Sequence, residues 1–179
     1  MPVIDRWLGE KFLGEHVTWG DDRSLTSWVL RQGYKTVYTD AAHAYTIVPE
    51  TLPKLLKQQI RWKKGWIVNS IFTSRFIFRA HPFVSLFYYF PLVLISFLTP
   101  IMAFRAFVYS PIVHGTFPML YASGVLLLTL VLVTYYRAAD RRNRYWPYLF
   151  LWSLFNMFVL SYLMFYAVLR LRDRTWATR

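Results

Sequence analysis

Three long apolar runs occupy residues 83–109, 117–136 and 146–169. Each reaches the ~17–25 residues that a helix needs to cross a hydrocarbon core of roughly 30 Å. A chain with that much contiguous apolar surface has no way to close as an ordinary soluble domain, and 56% of its 179 residues are hydrophobic and 20% aromatic. In lipid only internally hydrogen-bonded backbone is tolerated, so residues 81–179 read as an α-helical membrane region with two or three helices. Pro91 and Pro100 are expected to kink the first span without abolishing it, and Arg105 to snorkel toward its far end. The stretch 110–116, "SPIVHGT", is uncharged and reads as a loop on the outer side. By contrast "RAADRRNR", 137–144, sets four arginines against one aspartate, which marks a cytoplasmic side. The first two spans then form a hairpin with both ends in the cytoplasm. For the third run, length favours a full crossing. Charge favours a re-entrant or interfacial helix, which returns the basic tail "RLRDRTWATR" to the cytosol. The cytosolic tail is the expectation adopted here.

The formal net charge is +12. Residues 1–80 hold 12 Lys/Arg against 7 Asp/Glu, and residues 81–179 hold 9 Arg against 2 Asp. Basic clusters beside apolar runs point to the cytoplasmic face of a plasma membrane and not to nucleic acid. Cysteine is absent, which excludes disulfides and thiolate metal sites within this sequence. "PVIDRWLGEKFLG" lacks the apolar core of a secretory signal, so insertion is expected to use the later helices.

The composition shifts at Ala80-His81-Pro82, and the chain divides into 1–50, 51–80 and 81–179. Residues 21–32, "DDRSLTSWVLRQ", read as a helix with Leu25, Trp28 and Val29 on one face and Gly33 as its left-handed stop. "KTVYT" (35–39) and "AYTIV" (44–48) read as short strands. A second helix is expected over about 52–72, with Thr51 at the N-cap and Pro53 in the first turn. Leu56, Ile60, Ile67 and Ile71 form its apolar stripe, and Lys57, Arg61 and Lys64 a basic one. Such a helix either lies in the membrane interface or packs as an ordinary surface helix.

Two motifs carry chemistry. "GDD" at 20–22 puts adjacent carboxylates at a helix start. There they either cap free N–H groups or, kept ionised by the helix dipole, accept a proton from a hydroxyl. The second is Gln58-x-x-Arg61-Trp62. Its i, i+3, i+4 spacing places an amide, a guanidinium and an indole on one helix face. Arginine offers a fork for phosphate oxygens, tryptophan a flat surface on which a sugar ring stacks, and glutamine hydrogen bonds to hydroxyls. The competing reading is an interfacial helix with Trp62 at the headgroups and Arg61 on lipid phosphate.

Taken together, GDD, a QxxRW some 35 residues later and then membrane spans resemble the processive family 2 glycosyltransferases. The chain is similar above all to hyaluronan synthases, with chitin and chitooligosaccharide synthases as near relatives. The resembling stretches are "FLGEHVTWGDDRSLTSWVLRQGYKTVYTDAAHAYTIVPET", "QQIRWKKGW" and "RDRTWATR". The resemblance implies the C-terminal remnant of a GT-A type α/β domain followed by an α-helical membrane region. Asp22 would be the general base on the acceptor hydroxyl, with Asp21 supporting the acceptor site. Arg61 would bind the donor's diphosphate, Trp62 the acceptor sugar, and Gln58 would complete the group. Trp176, Thr178 and Arg179 would form a tail element near the nucleotide, although Ala177 stands where the family has glycine. "KKGW" departs from the serine-bearing sequence usual after QxxRW in hyaluronan synthases.

The family's D-x-D metal element has no counterpart in this sequence, so the Mg2+ or Mn2+ of the intact enzyme would be held elsewhere. The chain therefore reads as a C-terminal fragment, and alone it is expected to be inactive. The implied partners are a UDP-sugar donor, the growing polysaccharide and the lipid bilayer. Tyr88, Tyr89, Trp152 and Tyr166 are candidates to line the polymer's path, or else face lipid. A different class of function, a non-catalytic membrane anchor, would have no need for QxxRW beside an acidic helix start.

Overall fold

In a computed structural model the described residues are 2–17, 19–39, 41, 42, 44–142 and 144–173. Among them the chain is mostly helical, and its one sheet is a two-stranded hairpin. Two compact units emerge. One joins residues up to Val93 with those from Leu163 onward, and the other covers Leu94–Tyr162.

The first unit begins with α1 (Pro2–Leu8) and the strands β1 (Lys11–Phe12) and β2 (Glu15–His16). Lys11 pairs with His16 and Phe12 with Glu15, antiparallel. The two turn residues, Leu13 and Gly14, have φ of 52° and 83°, the double left-handed geometry that matches the twist of a tight hairpin. Glu10, just before the hairpin, is its tie to the next helix. Its carboxylate accepts from the Ser24 hydroxyl and from Trp28 Nε1 at 3.3 Å.

That next helix, α2 (Asp21–Arg31), starts and stops as the sequence predicts, with Gly33 at φ 84° beyond its end. Its buried face differs from the expected one. Ser24, Ser27 and Trp28 are buried, whereas Leu25 is 36% exposed. Small serines let α2 lie close to a neighbour, and the Ser27 and Thr73 hydroxyls share a hydrogen bond of 3.0 Å. Trp28 stacks on Phe72 at 4.8 Å between ring centres.

The two strands expected at 35–39 and 44–48 are not formed. The described residues of 34–50 have no helix or strand, and Val37, Tyr38, Tyr45 and Ile47 are 86%, 90%, 98% and 93% exposed. A β-rich pattern needs a partner strand and a surface to cover. Among the described residues none lies beside it, so the α/β part reduces to the β1–β2 hairpin with its helices.

Helix α3 runs Leu52–Ala80, eight residues beyond the expected end at 72. Thr51 does occupy the N-cap, but its side chain makes no capping bond. The expected stripes also need correction. Ile67 is buried, but Ile71 is 40% exposed, while Lys64, assigned to the basic stripe, is only 4% exposed. The buried face is Lys64, Gly65, Ile67, Val68, Asn69, Ser70, Thr73 and Ile77, because α2 and the helix formed by Leu163–Leu169 pack there.

Among the described residues two helices are long and apolar enough to cross a membrane: α4 (Pro82–His114) and α5 (Met119–Ala139). At 33 residues, α4 is about 50 Å long and takes in most of the stretch read as a loop; the turn comes at Gly115, φ 63°. Pro100 sits inside it, and it widens into π-helical turns at Ser85–Tyr89 and Arg105–Tyr109. Each of these ends two residues before a proline, Pro91 and Pro111. Proline lacks an N–H and its ring crowds the carbonyl four residues back, and a widened turn relieves both.

The third apolar run is broken. Helix α6 (Tyr148–Phe158) stops at Val159, a single 3₁₀ turn covers Leu160–Tyr162, and α7 (Leu163–Leu169) follows. The broken pair counts as a third crossing only if taken as one span.

Candidate functional site

Gly20 decides where the acidic pair sits. It is the N-cap of α2 in the left-handed region, φ 70°, so no side chain competes at the cap. Asp21 and Asp22 occupy the first turn, are exposed, and make no side-chain hydrogen bond or ion pair with any other described residue. They are not consumed as caps. The Gly20 carbonyl accepts the first helical bond, from Ser24 N at 2.9 Å.

Gly20 also lies against α3. A Cβ on Gly65 would come within 3.0 Å of both Gly20 N and Gly20 Cα, and one on Gly20 within 3.1 Å of Gly65 Cα. Backbone therefore meets backbone at this point. Gly65 is four residues after Arg61, three after Trp62 and seven after Gln58, so all four share one helical stripe. One turn of helix, about 5.4 Å, separates the Gly20 contact from Arg61. The structure thus seats the GDD turn on the stripe that carries QxxRW. Sequence reasoning expected the acidic helix start beside QxxRW but missed the glycine contact that seats it there, because Gly65 was noticed only as a departure from the family's serine. The available signal was a glycine inside a helix, which marks close approach.

Trp62 is 53% exposed, and Gln58 and Arg61 are half-buried. Asp22 opens onto a cavity of about 350 Å³. The same cavity is lined by Thr26 and Ser27 of α2, Asn69 and Thr73 of α3, and Tyr88 and Tyr89 of α4. Tyr89 donates to the Ser70 carbonyl at 2.6 Å. Two of the four candidate path aromatics thus share a cavity with Asp22. Trp152 and Tyr166 do not line it, and neither do Gln58, Arg61 or Trp62. Arg23, beside the acid pair, stands 6.0 Å over the ring of Trp66.

Lys64, two residues beyond Trp62, is a buried amine. Its Nζ donates to the Asp173 carbonyl at 2.8 Å and lies 5.4 Å from the centre of the Trp19 ring. Burial lowers its pKa, and the nearby Asp173 charge works against that. This bond brings the last described residue to the QxxRW helix. Trp176, Thr178 and Arg179 lie outside the described residues. No group of three or more His, Cys, Asp or Glu able to hold a metal occurs among the described residues.

Comparisons with known proteins converge. Hyaluronan synthase 1 of Xenopus tropicalis is 28% identical over 196 residues, covering 98% of this chain and 29% of the relative. Hyaluronan synthase of Streptococcus pyogenes serotype M1 is 28% identical over 179 residues, all of this chain and 42% of the relative. Hyaluronan synthase 1 of Xenopus laevis is 36% identical over 78 residues, 44% of this chain. The chain therefore spans well under half the length of the curated relatives it matches. No family model matches, and no solved structure matches.

Proposed function

Since this chain is hyaluronan synthase-like over its whole length, we propose that it forms the acceptor-side and membrane-embedded part of a processive polysaccharide synthase. The observation that carries this reading is the docking of Gly20 on Gly65. It brings the turn that carries Asp21 and Asp22 against the helix stripe that bears Arg61 and Trp62 one turn earlier.

In this reaction the acceptor's terminal hydroxyl loses its proton to the Asp22 carboxylate as its oxygen bonds to the donor's anomeric carbon. The bond from that carbon to the UDP oxygen breaks, and the configuration inverts. Arg61 neutralises charge building on the departing diphosphate, an electrostatic contribution. Asp21 supports the acceptor, Trp62 stacks on its sugar, and Gln58 bonds its hydroxyls, which align the reacting oxygen. The cavity from Asp22 to Tyr88 and Tyr89 supports a path for the product toward the spanning helices. A divalent ion would screen the diphosphate when bound, held by residues outside those described. The GT-A type domain boundary near residue 50 belongs to the same proposal, as do UDP-sugar and polymer as ligands and a multi-pass plasma-membrane location.

The test is synthesis. The full-length protein in membranes, given UDP-GlcNAc, UDP-GlcA and magnesium, is expected to make a hyaluronidase-sensitive polymer. Arg61→Ala is expected to weaken UDP binding and slow turnover together. Absence of any glycosyl transfer by well-folded protein would favour the anchor reading.

A second expectation concerns the tail. Lys64 holds Asp173, so residue 173 shares the side of the membrane on which QxxRW sits. That requires an even number of crossings between 82 and 173. Helices α4 and α5 supply two, and the run broken at Val159 is then a re-entrant or interfacial segment and not a third full crossing. This segment has no cysteine, so Thr178→Cys gives a clean probe once any cysteine elsewhere in the full-length protein is replaced. A membrane-impermeant maleimide is expected to label it only after permeabilisation. Labelling in intact cells would place the tail outside.

A further inference from the structure

We propose that Asn69 is a positioning residue for the transfer reaction, clasping the acidic turn to the QxxRW helix so that Asp22 is held in register with Arg61 and Trp62. Asn69 is 3% exposed. Its Nδ2 donates to two carbonyls, Gly65 O at 3.0 Å and Gly20 O at 3.4 Å. Both neighbours are acceptors only, so the amide must present its nitrogen to them.

Neither bond is needed to satisfy its carbonyl. Gly20 O already accepts from Ser24 N, and Gly65 O lies within the ladder of α3. Asn69 Oδ1, meanwhile, is buried with no hydrogen-bond partner among the described residues. A buried polar side chain with one unsatisfied end is a poor way to gain stability. What the amide does supply is a fixed link between two backbones already in glycine–glycine contact. It locates the residue immediately before the acid pair on the stripe Gln58, Arg61, Trp62, Gly65. Asn69 also lines the cavity that Asp22 opens onto. Misplacing a reacting group by roughly 1 Å can cost on the order of 10²-fold in rate, so a clasp here acts on turnover more than on folding.

This inference rests on the transferase reading, and its test separates the two. In the full-length synthase, Asn69→Leu keeps the side chain's bulk and removes the donor together with the unpaired acceptor. Asn69→Ser is smaller, and its hydroxyl can return to Gly65 O in its own helix without reaching Gly20. Both are expected to lower kcat by at least ~10-fold while UDP affinity stays within about twofold of wild type and the melting temperature within a few degrees. Trp28→Phe is the control. It loses the bond to Glu10 and loosens α2 on α3 away from the acids, so it should lower the melting temperature and leave kcat unchanged. If both Asn69 variants turn over within twofold of wild type, or if both lose the folded state, the clasp is not a positioning device and the proposal falls. Asp22→Asn is assayed alongside. A well-folded wild-type protein without any transfer removes the transferase reading itself, an active Asp22→Asn enzyme removes Asp22 as the base and with it the register proposed here, and an inactive Asp22→Asn beside a fully active Asn69→Leu removes only this inference.

Discussion

Asp22→Asn in the full-length protein is expected to reduce transfer by at least ~10²-fold, the usual scale for loss of a positioned general base, while leaving UDP binding nearly intact. The two effects separate because the carboxylate acts on the acceptor and not on the nucleotide. The substitution is also mild for the fold. Asp22 is exposed, makes no side-chain hydrogen bond among the described residues, and is not the cap of α2. Asparagine is tolerated in a first helical turn, so the variant should melt close to wild type. The check is radiolabelled sugar incorporation with UDP binding measured on the same preparation. Near-normal incorporation would mean that Asp22 serves only the helix start.

The second large effect is expected at Gly65. In an open helix, Gly→Ala is favourable by about 0.8–1 kcal/mol. At Gly65 the added methyl meets Gly20 N and Cα at 3.0 Å and Trp19 C at 3.2 Å. These are backbone atoms, with no flexible side chain to move aside. Overpacking of this kind costs about 1–3 kcal/mol, which exceeds the propensity gain, so Gly65→Ala should destabilise and Gly65→Val more so. Gly124 in α5 is the matched control. Nothing lies within 4 Å of a Cβ there, so Gly124→Ala should be neutral or stabilising by up to about 1 kcal/mol. Thermal melts in detergent read both. Equal behaviour of the two alanines would mean that α2 is not seated on α3 at Gly20.

The parts of this fold written in local terms were legible in the sequence. The bounds of α2, the stop at Gly33 and the two strongest apolar helices follow from caps, glycine geometry and run length. The failures are of a different kind. Val37, Tyr38, Tyr45 and Ile47 have strand-like composition, but a strand needs pairing that composition does not carry. Lys64 was read by its spacing as part of a basic stripe set apart from the apolar one. Its burial depends on Trp19 and on the Asp173 carbonyl, 109 residues away in sequence. Similarly, Ser24 and Ser27 are small enough to bury where two helices touch, so polarity misassigned the inner face of α2. For the candidate site, the residue types and spacing of GDD and QxxRW were readable. The link between them was not, because it runs through a glycine pair and the buried amide of Asn69.

The widened turns of α4 bear on how this chain is to be aligned with its relatives. A π turn holds one residue more than an α turn over the same hydrogen-bonded cycle, as Phe90 N bonding Ser85 O and Ser110 N bonding Arg105 O illustrate. Deleting one residue from Ser85–Tyr89 lets that stretch revert to plain α-helix, and everything beyond it keeps its facing toward lipid or protein. Deleting one residue from the regular part of the span instead turns all later side chains by about 100° around the axis. Single-residue gaps between this chain and its relatives therefore belong in these two segments, close to Pro91 and Pro111, where the helix already holds a removable residue.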